Sequence, residues 1–153
     1  KNAPFSLIDE GWPIYTHPRF LPATQISNTF LEDTLIAEGC WIENADIREA
    51  VVGLRSQIRS GCKLKRTIMM GADYYGFFRR GREEEGDQML GLGQDCDIEG
   101  AILDKNTSIG RGTVIRPFPG VEDLETELYS VRDGIVVIPK GTIIPPGTVI
   151  APE

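Results

Sequence analysis

The sequence predicts an all-β fold, a left-handed parallel β-helix of hexapeptide repeats with two loop excursions and an extended amino-terminal strap. One phrase, Ile-x-x-Gly-Thr/Cys-x-Ile/Leu, occurs five times, so that an apolar residue returns at every sixth position. This spacing fits neither an amphipathic helix nor an alternating strand. It is typical of short parallel strands that meet at tight corners and send one large and one small side chain inward. The five copies cover residues 36–42, 58–64, 109–115, 138–144 and 144–150.

Residues 1–30 do not follow this repeat and are rich in proline and aromatic residues, which predicts an extended strap or linker that lies over the coils or reaches a neighbour. Residues 31–153 are predicted to form the β-helix domain, with excursions over about 72–91 and 116–134. Within the second excursion, residues 119–129 are predicted to form a short helix. The large side chains predicted to face inward are Ile36, Ile42, Ile47, Val52, Ile58, Leu64, Met70, Ile98, Leu103, Ile109, Ile115, Ile138, Ile144 and Ile150.

The three cysteines fit the repeat better than they fit a redox or metal site. Cys40 and Cys62 stand in the slot that Thr142 and Thr148 fill in other copies, and this slot takes a small inward-facing side chain. Cys96 is expected to fill an equivalent place. The spacing therefore predicts three buried, reduced thiols and no metal ligands among them.

Composition excludes several classes of function. A formal net charge of −7 argues against a nucleic-acid binder and against a general membrane-surface binder. No apolar run approaches the length of a membrane span, and the first residues lack the apolar stretch of a signal peptide. We therefore expect a protein of the cytosol or of an organelle interior, in which any anionic ligand is held by a local group of basic residues.

The residues also argue against catalysis by this chain alone. A coenzyme-A-dependent acyltransferase on this scaffold needs a general base, and His17, outside the repeats, is the only histidine. A hydratase of the γ-carbonic anhydrase type needs several imidazoles for zinc and is excluded. No Ser-His-Asp set and no glycine-rich phosphate loop is present. The last repeat ends the chain without a cap, so that covering by residues 1–30 or by another subunit is expected, with an oligomer as the favoured solution.

The residues that depart from the repeat resemble one family. Five motifs in this order, on a matching repeat, resemble the carboxyl-terminal β-helix domain of ADP-glucose pyrophosphorylase (glucose-1-phosphate adenylyltransferase) in its plant and cyanobacterial form. The resemblance spans almost the whole chain. The motifs are Pro13-Ile-Tyr-Thr-x-Pro-Arg-x-Leu-Pro22, Val51-Val-Gly-Leu-Arg-Ser56, Met70-Gly-Ala-Asp-Tyr-Tyr75, Ala101-Ile-x-Asp-Lys-Asn106 and Gly134-Ile-Val-Val137.

The resemblance implies a regulatory and oligomerising role. The family enzyme converts ATP and α-glucose 1-phosphate to ADP-glucose and pyrophosphate in glycogen and starch synthesis. It does so in a separate amino-terminal nucleotidyltransferase domain that is expected to use Mg²⁺, so residues 1–30 would be the linker from that domain. The implied partners are this catalytic domain, other subunits of a homo- or hetero-tetramer, and small phosphorylated effectors. The implied location is the bacterial cytoplasm or a plastid.

The same resemblance implies an effector site for 3-phosphoglycerate and phosphate. Lys105 and Lys140 match two lysines of the family's effector site, Arg19 matches the arginine of the strap motif, and His17 stands where the family often has glutamine. No catalytic residue, metal ligand or cofactor is expected in this domain. Two other readings stay open: a stand-alone trimeric acyltransferase of the hexapeptide type, which would use His17 and coenzyme A, and a purely structural oligomerisation module.

Overall fold

The computed structural model describes residues 9–75, 89–121 and 123–152, and within them the chain forms short β-strands without a helix. The strands lie in three sheets, and consecutive strands of each coil fall in different sheets. The first sheet contains β1 (Gln25–Ser27), β4 (Trp41–Glu43), β7 (Gln57–Ile58), β10 (Gly91–Leu92), β13 (Ser108–Ile109) and β18 (Ile143–Ile144). The second contains β2 (Phe30–Glu32), β5 (Asp46–Arg48), β8 (Lys63–Lys65), β11 (Asp97–Glu99), β14 (Val114–Ile115) and β19 (Val149–Ile150). The third contains β3 (Leu35–Ile36), β6 (Val51–Val52), β9 (Ile68–Met69), β12 (Ala101–Leu103), β17 (Ile135–Ile138), β16 (Ser130–Arg132) and β15 (Leu124–Glu125).

The three sheets form the faces of a parallel β-helix whose core is a set of stacked apolar columns. In the second sheet, the parallel register places Ile47, Leu64, Ile98, Ile115 and Ile150 one above another. Each of these side chains is at most 3% exposed. Burying such columns removes apolar surface from water, and this stabilises strands that are too short to persist alone.

The cysteines lie where the repeat predicts them. Cys40, Cys62 and Cys96 each stand directly before a strand, all three are buried, and none forms a disulfide. Their thiols donate to backbone carbonyl oxygens of the next coil, as Cys62 does to Gly93 at 3.0 Å. The hydroxyl of Thr113, in the same slot, donates to the Gly110 carbonyl at 2.7 Å. The prediction of buried, reduced thiols is confirmed.

Two details of the predicted repeat need correction. The coils begin at Gln25 rather than at residue 31, since β1 pairs in parallel with β4 and β2 with β5. Met70 does not face inward: its side chain is 46% exposed, and Met69 is buried in its place. The corner after β8 is one residue shorter than a regular hexad allows, so the inward position moves back by one. The other predicted inward side chains are buried, apart from the half-buried Ile36.

The second excursion is a β-hairpin, and the predicted helix over residues 119–129 is wrong. Strands β15, β16 and β17 pair in antiparallel register, and β17 then rejoins the parallel sheet beside β12. Asp133 and Gly134 both have positive φ in the two-residue turn between β16 and β17, as a tight hairpin turn requires. The first excursion falls mainly on residues 76–88, which lie outside the described residues.

The strap makes little contact with the coils. Every described residue from 9 to 20 is exposed, including Trp12 at 83% and Tyr15 at 90%. Contact begins near Leu21, which lies beside Gly39, and the hydroxyl of Thr24 donates to the Ala37 carbonyl at 2.7 Å. Over residues 9–20, the strap therefore does not lie across its own coils.

Candidate functional site

Two lysines stand at one corner of the β-helix, in the turns that lead from the third sheet back to the first. Because β12 pairs in parallel with β17, Lys105 and Lys140 occupy equivalent positions in successive turns. The backbone ladder continues through these turns: the Gly141 amide donates to the Lys105 carbonyl at 2.9 Å, and the Asn106 amide donates to the Gly71 carbonyl at 3.0 Å. The two side chains therefore project from neighbouring rungs of one rigid scaffold.

Both lysines meet a single acidic side chain. Lys105 Nζ lies 2.8 Å from Asp73 Oδ1, and Lys140 Nζ lies 3.0 Å from Asp73 Oδ2. Asn106 Nδ2 donates to the same Oδ2 at 3.1 Å. We call these four residues the lysine–aspartate cluster. Three donors from two coils thus converge on one carboxylate, although its sequence position is more than thirty residues from the nearest of them.

The lysine–aspartate cluster is exposed to solvent, and its carboxylate is held in the ionised form. The side chains of Asp73, Lys105 and Lys140 are 41%, 39% and 58% exposed. The hydrogen bond from Lys105, followed by those from Lys140 and Asn106, holds the pKa of the Asp73 carboxyl well below its usual range. The carboxylate is therefore ionised at neutral pH, and the two ammonium groups leave the three charged side chains with a net positive charge.

The backbone around Asp73 is fixed by several hydrogen bonds. The Asp73 amide donates to Asn106 Oδ1 at 2.8 Å, and the preceding Ala72 amide donates to the Leu54 carbonyl at 2.8 Å. Arg55 donates to the Ala72 carbonyl at 3.2 Å. The segment that carries the carboxylate is thus tied to the coil below it and to the coil above it.

Tyr75 fastens the far end of the same segment. Its hydroxyl donates to the Gly39 carbonyl at 2.9 Å, and the Arg55 guanidinium lies 5.9 Å from its ring centroid. Leu21 of the strap lies against the same glycine. The segment 71–75 therefore connects the lysine–aspartate cluster to the point at which the strap joins the coils.

This arrangement can bind an anion. Ammonium groups that converge from a rigid frame are suited to phosphate or carboxylate oxygens, and such charge-assisted hydrogen bonds are stronger than neutral ones. Asp73 now takes the place that a ligand's oxygens would need. The structure thus brings together Lys105 and Lys140 of the four predicted site residues.

The other two predicted residues lie in the strap. Arg19 and His17 are both exposed, and Arg19 Nη1 donates to the His17 carbonyl at 3.2 Å. Among the described contacts, none joins either side chain to the lysine–aspartate cluster. Their assignment to an effector site stays a prediction.

Sequence reasoning missed Asp73 and Asn106 as site residues. Asp73 lies within the motif over residues 70–75, and no role followed from that motif alone. The repeat itself carried a signal: once Met69 is taken as the inward residue, Gly71 falls at the turn position of Lys105. Asp73 then follows two residues later, at the same corner as the lysines.

A second cationic region lies at a different corner, where the chain passes from the first sheet to the second. A cavity of about 350 Å³ is lined in part by Arg59 and Arg111. The Arg59 guanidinium donates to the carbonyls of Leu90 and Leu92 at 3.3 and 3.0 Å and to Gln57 at 3.1 Å. The hydrogen bonds of this arginine thus link β7 to β10 in the middle of the first sheet, and burial lowers its pKa.

The described residues contain neither a group of metal ligands nor a membrane-spanning helix. Over residues 9–75, 89–121 and 123–152, no three His, Cys, Asp or Glu side chains form a group that could hold a metal ion. Within these ranges there is also no helical segment with the length and hydrophobicity needed to cross a bilayer.

The chain is a parallel β-helix protein of the hexapeptide-repeat class. Its coils form three faces around columns of buried apolar side chains, and two lysines stand at one corner. A family model described as the GLGC left-handed parallel beta-helix domain matches residues 19–149. The chain belongs to this family. The predicted left-handed β-helix and the resemblance to glucose-1-phosphate adenylyltransferase are thereby confirmed.

A curated relative agrees with this assignment. The chain is 40% identical over 150 residues to a protein of Triticum aestivum named glucose-1-phosphate adenylyltransferase small subunit, chloroplastic/amyloplastic. The match covers 95% of this chain and 32% of the wheat protein. The chain thus spans about a third of the length of this relative.

Proposed function

We propose that this chain is a regulatory and assembly domain of a glucose-1-phosphate adenylyltransferase, in which Lys105 and Lys140 bind an anionic effector. One observation carries the proposal: lysines of two successive coils hold the same carboxylate, at 2.8 and 3.0 Å. A phosphoryl group offers more charge and more acceptor oxygens than a carboxylate, so the same donors suit 3-phosphoglycerate as activator and phosphate as inhibitor.

The reaction of the whole enzyme forms part of this proposal. It joins ATP and α-glucose 1-phosphate to give ADP-glucose and pyrophosphate, in glycogen or starch synthesis. We assign the chemistry and its Mg²⁺ to a separate catalytic domain, because the described residues of this chain offer no group of metal ligands. The name of the wheat relative supports a plastid location for a plant-type enzyme, and a bacterial enzyme would work in the cytoplasm.

We assign Arg19 and His17 a supporting role in the same site. Their side chains are exposed, and the coils leave most of the described strap residues uncovered. In an assembled enzyme such a strap would be packed against the catalytic domain or a neighbouring subunit. Arginine can bind a phosphate oxygen pair with two parallel hydrogen bonds, so Arg19 is the stronger candidate of the two.

The assembly role is supported by the open amino-terminal end of the β-helix. Ile26 and Leu31 belong to the same inward columns as Ile42 and Ile47, with which they pair in register. The first two are 44% and 39% exposed, whereas the second two are fully buried. The difference arises because no coil among the described residues covers the first one. We propose that another subunit of a homo- or hetero-oligomer covers this end.

The effector assignment is tested by activation kinetics of the full-length enzyme. Lys105→Ala and Lys140→Ala should each raise the concentration of 3-phosphoglycerate needed for half-maximal activation by roughly tenfold, because each removes a charged hydrogen-bond donor. Turnover without activator should stay close to that of the unmodified enzyme. Lys63→Ala, which removes an exposed lysine from the outer face of β8, is the matched control. Wild-type activation curves for both lysine variants would refute the assignment.

The assembly assignment is tested by subunit mass. Leu31→Lys should reduce the oligomer in light-scattering measurements, because it places a charge at the proposed contact. Leu35→Lys introduces the same charge in the same coil, on a side chain that is 58% exposed. An unchanged oligomer in the Leu31 variant would exclude this end as a subunit contact.

A further inference from the structure

The carboxylate of Asp73 lies between the two proposed effector lysines. It forms ion pairs with both proposed effector lysines, and it uses both of its oxygens to do so. A ligand oxygen cannot approach either ammonium group along the same direction while the carboxylate stays in place. An anion that takes the position between the two lysines must therefore displace Asp73.

We propose that Asp73 is a built-in competitor for the effector, a tethered carboxylate that holds the anion position between Lys105 and Lys140 until a phosphorylated ligand replaces it. This inference rests on the proposed function, and it adds a residue that sets effector affinity. It assigns Asp73 an inhibitory part in binding, in contrast to the lysines. Without a ligand, Asp73 thus neutralises part of the positive charge that the two lysines offer to an anion.

The geometry favours displacement of the side chain alone. The Asp73 amide donates to Asn106 Oδ1 at 2.8 Å, and the preceding residue is bonded on both sides, by its amide to Leu54 and by its carbonyl to Arg55. None of these bonds involves the carboxylate. A rotation about the side-chain torsions would therefore release the lysines and leave the backbone of residues 71–75 in place.

The exposure of the cluster makes the exchange feasible. All three charged side chains are more than a third exposed, so their attraction is weakened by water and salt. A phosphate group carries about 1.5–2 negative charges at neutral pH, whereas the carboxylate carries one. The ligand thus gains more from the two ammonium groups than Asp73 loses. The displaced carboxylate stays in water, where it is fully solvated.

A purely structural role for Asp73 makes a different prediction. If the carboxylate only fastened the segment 71–75 to the coils, its removal would lower stability and would leave affinity unchanged or reduced. If it competes with the ligand, its removal raises affinity. The direction of the change in affinity therefore separates the two roles.

The experiment measures binding of inorganic phosphate to the full-length enzyme by calorimetry at constant ionic strength. Asp73→Asn keeps the size of the side chain and removes its charge, and it should bind phosphate at least threefold more tightly. Asp73→Ser serves as a second variant, and thermal melts confirm that each variant is folded. Asp133→Asn is the control, because it removes the same charge at a hairpin turn whose described contacts include neither lysine. It should change affinity by less than twofold.

The variants Lys105→Ala and Lys140→Ala distinguish a failure of the competitor role from a failure of the proposed effector site. If Lys105→Ala and Lys140→Ala lose phosphate binding while Asp73→Asn and Asp73→Ser bind as the unmodified enzyme does, the competitor role is wrong and the effector site stands. If the lysine variants bind phosphate normally, the effector site itself is wrong, and the inference falls with it. Tighter binding by Asp133→Asn, equal to that of Asp73→Asn, would show a general charge effect and would also overturn it.

Discussion

Lys105 and Lys140 are equivalent residues of successive coils, and their ammonium groups bind different oxygens of the same carboxylate. The equivalence follows from the repeat, since a parallel register carries any turn position directly onto the next coil. A β-helix can therefore align two like charges at a defined spacing, although these charges repel each other. The repulsion is offset here by Asp73, and we propose that an effector offsets it in the regulated enzyme.

The first prediction concerns the core columns. Ile144 is fully buried, whereas its neighbour Ile143 is 45% exposed on the outer face of the same strand. Ile144→Ala should lower the free energy of unfolding by about 2–5 kcal/mol, because it leaves a cavity in a packed column. Ile143→Ala should lower it by about 1 kcal/mol or less. Denaturant unfolding followed by circular dichroism measures both, and equal losses would contradict the inward and outward assignment.

The second prediction concerns the glycine that brings Asp73 to the corner. Gly71 has a φ of +89°, and a Cβ at this position would overlap the carbonyl oxygen of Leu54. Gly112 also has a positive φ, of +68°, but has open space around it. Gly112→Ala should therefore cost roughly 1–2 kcal/mol of stability, from backbone strain alone.

Gly71→Ala should cost clearly more than this, because its backbone neighbours cannot move without breaking the ladder. Thermal unfolding of the two variants provides the comparison. If Gly71→Ala proved no more harmful than Gly112→Ala, the close approach of the two turns would be disproved.

The third prediction concerns acid. The pKa of Asp73 is lowered by Lys105, then by Lys140 and Asn106. Its ionised form therefore stabilises the folded chain above the usual aspartate pKa of about 4, and this contribution is lost as the pH falls through the lower folded value. In a carbon-detected NMR titration, Asp73 should titrate well below 4. In the double variant Lys105→Ala and Lys140→Ala its pKa should return towards 4, and an unchanged value would mean that the lysines do not hold it.

The fourth prediction concerns the thiols. Cys40, Cys62 and Cys96 are buried, and the hydrogen bond with Cys96, together with burial, raises the pKa of the Cys62 thiol. Buried structural thiols react slowly with alkylating reagents, because the reagent cannot reach the sulfur atom. Mass spectrometry after brief iodoacetamide treatment should find all three unmodified in the native protein. The same treatment in guanidinium should modify all three. Rapid labelling of the native protein would show that the cysteine side chains do not point into the core.

Much of this fold could be predicted because the repeat is local. A glycine and a small residue after each apolar position mark a corner, so Ile42, Ile58 and Ile109 could be placed inside from the sequence. Met70 was placed wrongly because one corner is a residue shorter, and a fixed period cannot detect such a shift. The hairpin was missed for another reason: its strands are held by pairing with β17, which residues 119–129 do not encode on their own.

Only part of the site could be predicted, because some of its contacts depend on packing between coils and not on the repeat. Lys105 and Lys140 were found through a family resemblance, and their spacing agrees with the register of the coils. Asp73 reaches them from a coil that leaves the repeat directly afterwards, so its direction depends on the turn at Gly71 and on the bond to Asn106. Such contacts arise from packing between coils, and they leave no periodic signal.

The most direct test of the account is calorimetric binding of 3-phosphoglycerate to the full-length enzyme and to its double variant Lys105→Ala and Lys140→Ala. We expect saturable binding to the unmodified enzyme, and a loss of at least a hundredfold in affinity in the double variant, with Lys63→Ala unchanged. Binding to the double variant with unmodified affinity would contradict the account, because the corner would then hold two solvated lysines and no effector site.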